Sequence, residues 1–142
     1  WFWQDCSDDF EYIINRPQNM EGKQALVLSL SDHVSHERIT RVIGPDTSIW
    51  EVTIKQPHND FMQSKQQLSL FRKCIRKLIV EIKNTHGDAT PLQIFPVMPV
   101  SCAVELGRAR MPKADMPWLI YDHDIKTQQF VMAVELRGDL HE

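Results

Sequence analysis

Glycine is scarce in this chain: five in 142 residues, no two of them close together. A phosphate-cradling loop or a dinucleotide fingerprint needs several glycines within a few positions, so neither motif is present. Cysteine is equally thin, and Cys6, Cys74 and Cys102 form no C-x-x-C pair. That excludes a disulfide framework and a thiolate zinc site, and fits a reducing, cytoplasmic compartment. No apolar run approaches the roughly 18 residues that a membrane-spanning helix requires, and no basic region followed by an apolar stretch opens the chain. Nor does one sign of charge dominate: the net value is −3 with 25% charged residues. Bulk electrostatic binding to DNA or RNA is therefore not expected, and any anionic ligand must be held locally.

What is present is enough apolar material for one core: 42% hydrophobic residues in a chain of single-domain length. No internal repeat or low-complexity stretch interrupts it. The chain opens with Trp1 in "WFWQD" rather than with Met. An upstream part is therefore expected to be missing, and Trp1, Phe2 and Trp3 are expected to pack on it or on a neighbouring protomer. Residues 1–24 are read as that N-terminal segment and residues 25–142 as the domain proper.

The hydrophobic period alternates along the chain. Residues 25–30, "ALVLSL", read as a buried strand that runs into the polar loop 29–38, and 49–54, "IWEVTI", as a half-exposed strand. From Phe61 to about Lys83 the apolar residues fall at spacings of three and four, predicting a long amphipathic helix closed by His86 and Gly87. "PLQIFP" predicts a third strand, 100–110 a shorter helix, 117–122 a fourth strand and 130–136 a fifth. This order is that of an α/β fold with a mainly parallel central sheet, an antiparallel edge formed by the last pair, and flanking helices.

Several positions carry candidate chemistry. Pro96 and Pro99 stop the third strand and fix a rigid turn into the next helix, whose first amides, near Val100 and Ser101, would face a phosphate or base edge. Ser101 as a plain helix cap is the alternative. Ser31, Asp32, His33 and Ser35, after the first strand, belong at the same carboxyl edge of the sheet and would contact a ligand there, or form a solvated loop. Asp32, His33 and His36 lack a further ligand for a metal site. Arg108 would pair with an anion or stay solvated, and Gly107 would let its helix lie close to the sheet. Tyr121 would stack on a base, close the pocket, or belong to the core. Asp122, His123 and Asp124 offer acid–base groups for a small hydrolase or nuclease, or a solvated turn. The basic residues of the long helix read as a solvated face or one meeting an acidic partner subunit.

Together, "LQIFPVMPVSCAVELGRAR", "MPWLIYDHD" and "FVMAVEL" resemble the C-terminal half of a SAVED domain, over about Ala25 to Leu136. The resemblance implies a Rossmann-type, CARF-like sandwich that acts as a sensor in bacterial antiphage CBASS or CRISPR-linked systems. It implies a cyclic di-, tri- or tetranucleotide as ligand, with no resident cofactor or metal and no catalytic residue in the domain itself. The implied partners are an upstream SAVED half or another protomer, which completes the pocket, and an effector domain such as a nuclease, TIR domain or protease. A purely architectural subunit is the remaining alternative.

Overall fold

A computed structural model describes residues 12–55, 57, 65–87, 90–98, 105–107, 116–124 and 129–136. The strands are β1 (Ile13–Asn15), β2 (Lys23–Ser29), β3 (Thr47–Thr53), β4 (Leu92–Val97), β5 (Trp118–Asp124) and β6 (Gln129–Leu136), and the helices are α1 (His36–Ile43) and α2 (Lys65–His86). The six strands form one sheet in the order β1-β3-β2-β4-β5-β6. β2, β3, β4 and β5 are parallel, and β6 forms the expected antiparallel edge. β1 adds a second antiparallel edge on β3, with Asn15 opposite Glu51.

The chain crosses from β2 to β3 in one direction and from β3 to β4 in the other. Crossovers of one hand then place the two connecting helices on opposite faces. Accordingly, α2 buries Phe71, Ile75, Leu78, Ile79 and Ile82 against Leu26, Leu28, Trp50, Val52, Ile94 and Trp118, while α1 buries Ile39 and Ile43 against Ala25, Val27, Phe95, Tyr121 and Phe130. β2 is buried on both sides from Gln24 to Ser29, as a central parallel strand must be. Each fully buried large side chain of this kind contributes about 1.5–3 kcal/mol by removal from water.

Two elements depart from the sequence reading. The polar loop expected through residue 38 ends at Ser35, whose hydroxyl caps α1 by accepting from the Glu37 amide at 3.3 Å. Eight residues with two buried isoleucines make too short a stripe to stand out as a helix in sequence. At the far end Gly44, at φ 96°, donates its N–H to the Thr40 carbonyl, and the Lys23 ammonium reaches the Ile43 carbonyl at 2.9 Å. β1 is the second departure. No strand was expected before residue 25, yet Ile13–Asn15 pair with β3 and Lys23 and Gln24 open β2.

β4 also runs one residue further than expected. Pro96 does not end it but sits within it, opposite Leu28, and Val97 pairs with Ser29. On its other side β4 keeps register with β5 only from Leu92 to Ile94. Pro96, which has no N–H to offer, lies in the stretch where those two strands are no longer paired.

Candidate functional site

The site begins where β2 ends. In a doubly wound sheet the strands flanking the reversal of crossover direction leave their carboxyl ends side by side, and here these are β2 and β4. Their ends are fastened together by the Val97 carbonyl, which accepts from the amides of Leu30 at 3.0 Å and Ser31 at 2.8 Å. The Thr53 hydroxyl donates to the Ser29 carbonyl at 2.8 Å, so β3 holds the same point from the other side. Val34 is buried beneath the loop against α1. Between these fixed points Ser31 is half-buried, and Asp32, His33 and Ser35 are exposed.

The predicted loop residues are thus brought together, but two have internal partners. Asp32 accepts from the His33 amide at 2.8 Å, and Ser35 is engaged as the helix cap. The exposed groups at the edge are Asp32, His33 and the first turn of α1, where the Ser35 hydroxyl takes the Glu37 amide and the Ser35 carbonyl the Arg38 amide, and which carries the positive end of the helix dipole. Pro96 stands on β4 beside this loop; Pro99, Val100, Ser101 and Arg108 lie outside the described residues.

Tyr121 is placed differently from a base-stacking residue. Its ring stacks on Phe95, with centroids 4.4 Å apart and planes 14° from parallel, and only 8% of the residue is exposed. Its hydroxyl donates to Gln93 Oε1 at 2.7 Å, and burial pushes the phenol up from its ordinary value. Phe130 completes the cluster edge-on to Phe95 at 5.1 Å. A neighbouring core ring already occupies the stacking role assigned to Tyr121. Gly107 differs as well. It is exposed, and a Cβ placed on it would meet nothing within 4 Å, so no close approach to the sheet requires glycine there.

Asp122, expected at the end of the fourth strand, and His123 and Asp124, which read as acid–base groups or a solvated turn beyond it, are strand residues paired with Val131, Phe130 and Gln129 of β6. Asp122 is exposed, and of the other two only the backbone is described. Among the described residues no three His, Cys, Asp or Glu side chains gather as a metal site. No helix among them is long and apolar enough to cross a membrane.

One group at this edge escapes a sequence reading. Glu51, in the middle of β3, is 5% exposed. Its Oε2 accepts from the Ser29 hydroxyl and its Oε1 from the Asn15 amide, both at 2.9 Å, and His36 Nε2 stands 3.8 Å from Oε1. In "IWEVTI" a glutamate between apolar residues looks like the outward position of a half-exposed strand. Among the described residues, two of its three partners, Asn15 and His36, come from the unforeseen β1 and α1.

Residues 1–136 match the family described as the SMODS-associated and fused to various effectors sensor domain, SAVED. The chain belongs to the SAVED family. This SAVED domain is also similar to three solved structures of an Acinetobacter baumannii Cap4 SAVED/CARF-domain containing receptor. With the cyclic trinucleotide 2'3'3'-cAAA the TM-score is 0.66 at 17% identity, and with 3'3'3'-cAAA it is 0.62 at 19%; each likeness covers 95% of this chain and 29% of that one. The third gives 0.56 at 14% identity, over 92% of this chain and 27% of the receptor. The chain therefore spans less than a third of those receptors, and the likeness is one of fold. No curated protein matches the chain. The fold expected from sequence, an α/β sandwich of the SAVED and CARF type, is the one found, and the domain is a sensor domain.

Proposed function

We propose that this SAVED domain recognises a cyclic oligonucleotide at the carboxyl edge of β2 and β4 and converts its occupancy into activation of a linked effector. The observation that carries the reading is the joined edge itself. Two strand ends share the Val97 carbonyl, and the capped start of α1 and the loop 30–35 open beside them. A ring of phosphates and bases suits such a place. Phosphates meet His33 and the positive end of the α1 dipole, while Ser31 and the residues from Pro96 through Pro99 and Val100 to Ser101 supply contacts to base edges. Arg108 adds a charge for the same ligand. Asp32 and Glu37 repel phosphate, which favours a ligand whose anionic groups are few and fixed in position.

Recognition of this kind needs no bond-breaking step. The ligand acts through its differential affinity for the active assembly, and an upstream half or a second protomer closes the pocket from the other side. The Cap4 receptor structures with 2'3'3'-cAAA and 3'3'3'-cAAA support a cyclic trinucleotide as the first ligand to try. Such a sensor would work in the bacterial cytoplasm, where its effector and ligand meet.

The test is thermal unfolding with 2'3'3'-cAAA, 3'3'3'-cAAA, cyclic dinucleotides and cyclic tetranucleotides, with linear tri-adenylate as control. At a free concentration 100-fold above Kd a bound ligand stabilises by about 2.7 kcal/mol, several degrees in midpoint. The reading expects one cyclic compound to raise the midpoint and His33→Ala or Ser101→Ala to diminish the rise. A linear compound that does as well, or no shift when the domain is joined to its upstream half, would count against it.

A further inference from the structure

Glu51 is a carboxylate taken out of water in the middle of a sheet, an arrangement that costs several kcal/mol unless partners compensate it. Its partners sit at well-separated points of the chain. The Ser29 hydroxyl belongs to the last residue of β2 and the His36 imidazole to the first residue of α1, and these two residues bracket the loop 30–35. Asn15, from the edge strand β1, holds the second oxygen in place. Asp32 and His33 bond to each other, the Asp32 carboxylate accepting from the His33 amide. One buried acid therefore grips both ends of the loop while its exposed middle remains free to meet a ligand.

We infer that Glu51 is a positioning residue that fixes the span between Ser29 and His36 and so sets the conformation in which the loop 30–35 receives its ligand. The inference rests on the reading of that edge as the ligand site, but its mechanical part can be measured without any ligand. The two oxygens divide the work. Oε2 fixes the strand end through a buried hydrogen bond, and Oε1 draws in the helix end through a partly exposed imidazole. Losing the charge while keeping the shape should release the helix end first.

The experiment compares the full chain with Glu51→Gln, His36→Gln and the double variant by amide hydrogen exchange resolved to single residues. Glutamine keeps the length of residue 51 and one accepting oxygen but no charge, and His36 is exposed enough for its replacement to leave folding intact. Both single variants are expected to speed exchange at 31–36 by about tenfold, the size of effect that loss of one polar contact to a buried carboxylate gives, and the double variant no further. Amides of α2 and of β4 should keep their protection. An equal loss of protection throughout the sheet and α2 would make Glu51 a general stability residue and overturn the inference, as would unchanged exchange at 31–36. Should Glu51→Gln fail to fold, His36→Gln and Ser29→Ala report on the two ends separately.

A second arm titrates 2'3'3'-cAAA into the same proteins. Weakening by about tenfold in Glu51→Gln, in step with the exchange at 31–36, supports the inference. Binding as tight as that of the unaltered chain overturns it. If the unaltered chain binds nothing while the loop still loosens in the variants, the ligand reading fails and the exchange result alone establishes the positioning role.

Discussion

Trp50 donates its indole N–H to Nε2 of His86 across 3.1 Å, with the two rings nearly perpendicular at 78°. The donor is a fully buried side chain of β3, and the acceptor is the last residue of α2. An imidazole that accepts at Nε2 carries no proton there. Burial pushes the His86 pKa below its ordinary 6.5. The unfolded chain therefore binds a proton at His86 more readily than the folded one, and acid favours unfolding. The stability that neutral His86 contributes is complete above about pH 6.5 and is lost as the pH falls through the lower folded value. Urea unfolding between pH 7.5 and 5 should show this decline, and His86→Gln, which keeps an acceptor but does not titrate, should flatten it. Parallel profiles for the two proteins would rule the assignment out.

Gly22 precedes β2 where the chain passes close to β3. A Cβ at this position would lie 2.8 to 2.9 Å from the backbone N, Cα and C of Thr47, and backbone in a paired strand has little room to yield. The Gly22 amide also donates to the buried Ser48 hydroxyl at 2.9 Å. Gly22→Ala is expected to cost about 1–3 kcal/mol through overpacking. An unchanged denaturation midpoint would mean that the strands separate there without penalty.

Arg72 and Glu105 link α2 to the helical residues that follow β4, with Nε 2.8 Å from Oε2. The carboxylate side chain is 5% exposed and the arginine 55%, so the charge on Glu105 is the expensive partner. Arg72→Met should destabilise the fold by about 1 kcal/mol or more, and the loss should shrink when Glu105→Gln is added. Additive losses in the double-mutant cycle would show that the pair is not coupled.

Tyr121→Phe tests the hydroxyl bond to Gln93 apart from the ring. It should lower stability by about 1 kcal/mol, the usual net worth of such a bond. The same variant should respond to nucleotide as the unaltered chain does, because the ring and its stack on Phe95 remain. A variant of full stability that loses the nucleotide response would instead place the hydroxyl at the ligand.

The parallel strands and the long helix were legible because each repeats one period over enough residues. "ALVLSL" is apolar on both faces, and α2 keeps its stripe from Leu68 to Ile82. What escaped is short. β1 has three residues and α1 eight, lengths at which tertiary partners rather than periodicity decide the structure. Glu51 could not be recognised as buried because the two elements that bring Asn15 and His36 to it were invisible in sequence. Of the candidate site, the place of the loop 31–35 at the edge beside β4 follows from strand order. Ser35 reads equally well as ligand donor or cap, and only the start of α1 distinguishes them. Pro96 reads as a terminator because proline lacks a donor, yet β4 tolerates it where its pairing to β5 has already ceased.

That early parting of β4 and β5 bears on the order in which the molecule assembles. β5 pairs with β6 along its whole length, from Trp118 to Asp124, through one register shift between Ile120 and Tyr121, but with β4 over three residues only, Leu92 to Ile94. The β5–β6 pair closes over a short stretch of chain, whereas each parallel pairing must wait for a helix to be laid across the sheet. The hairpin is thus a unit of local contacts joined to the parallel core along a brief seam, the natural line for the two parts to separate first under strain.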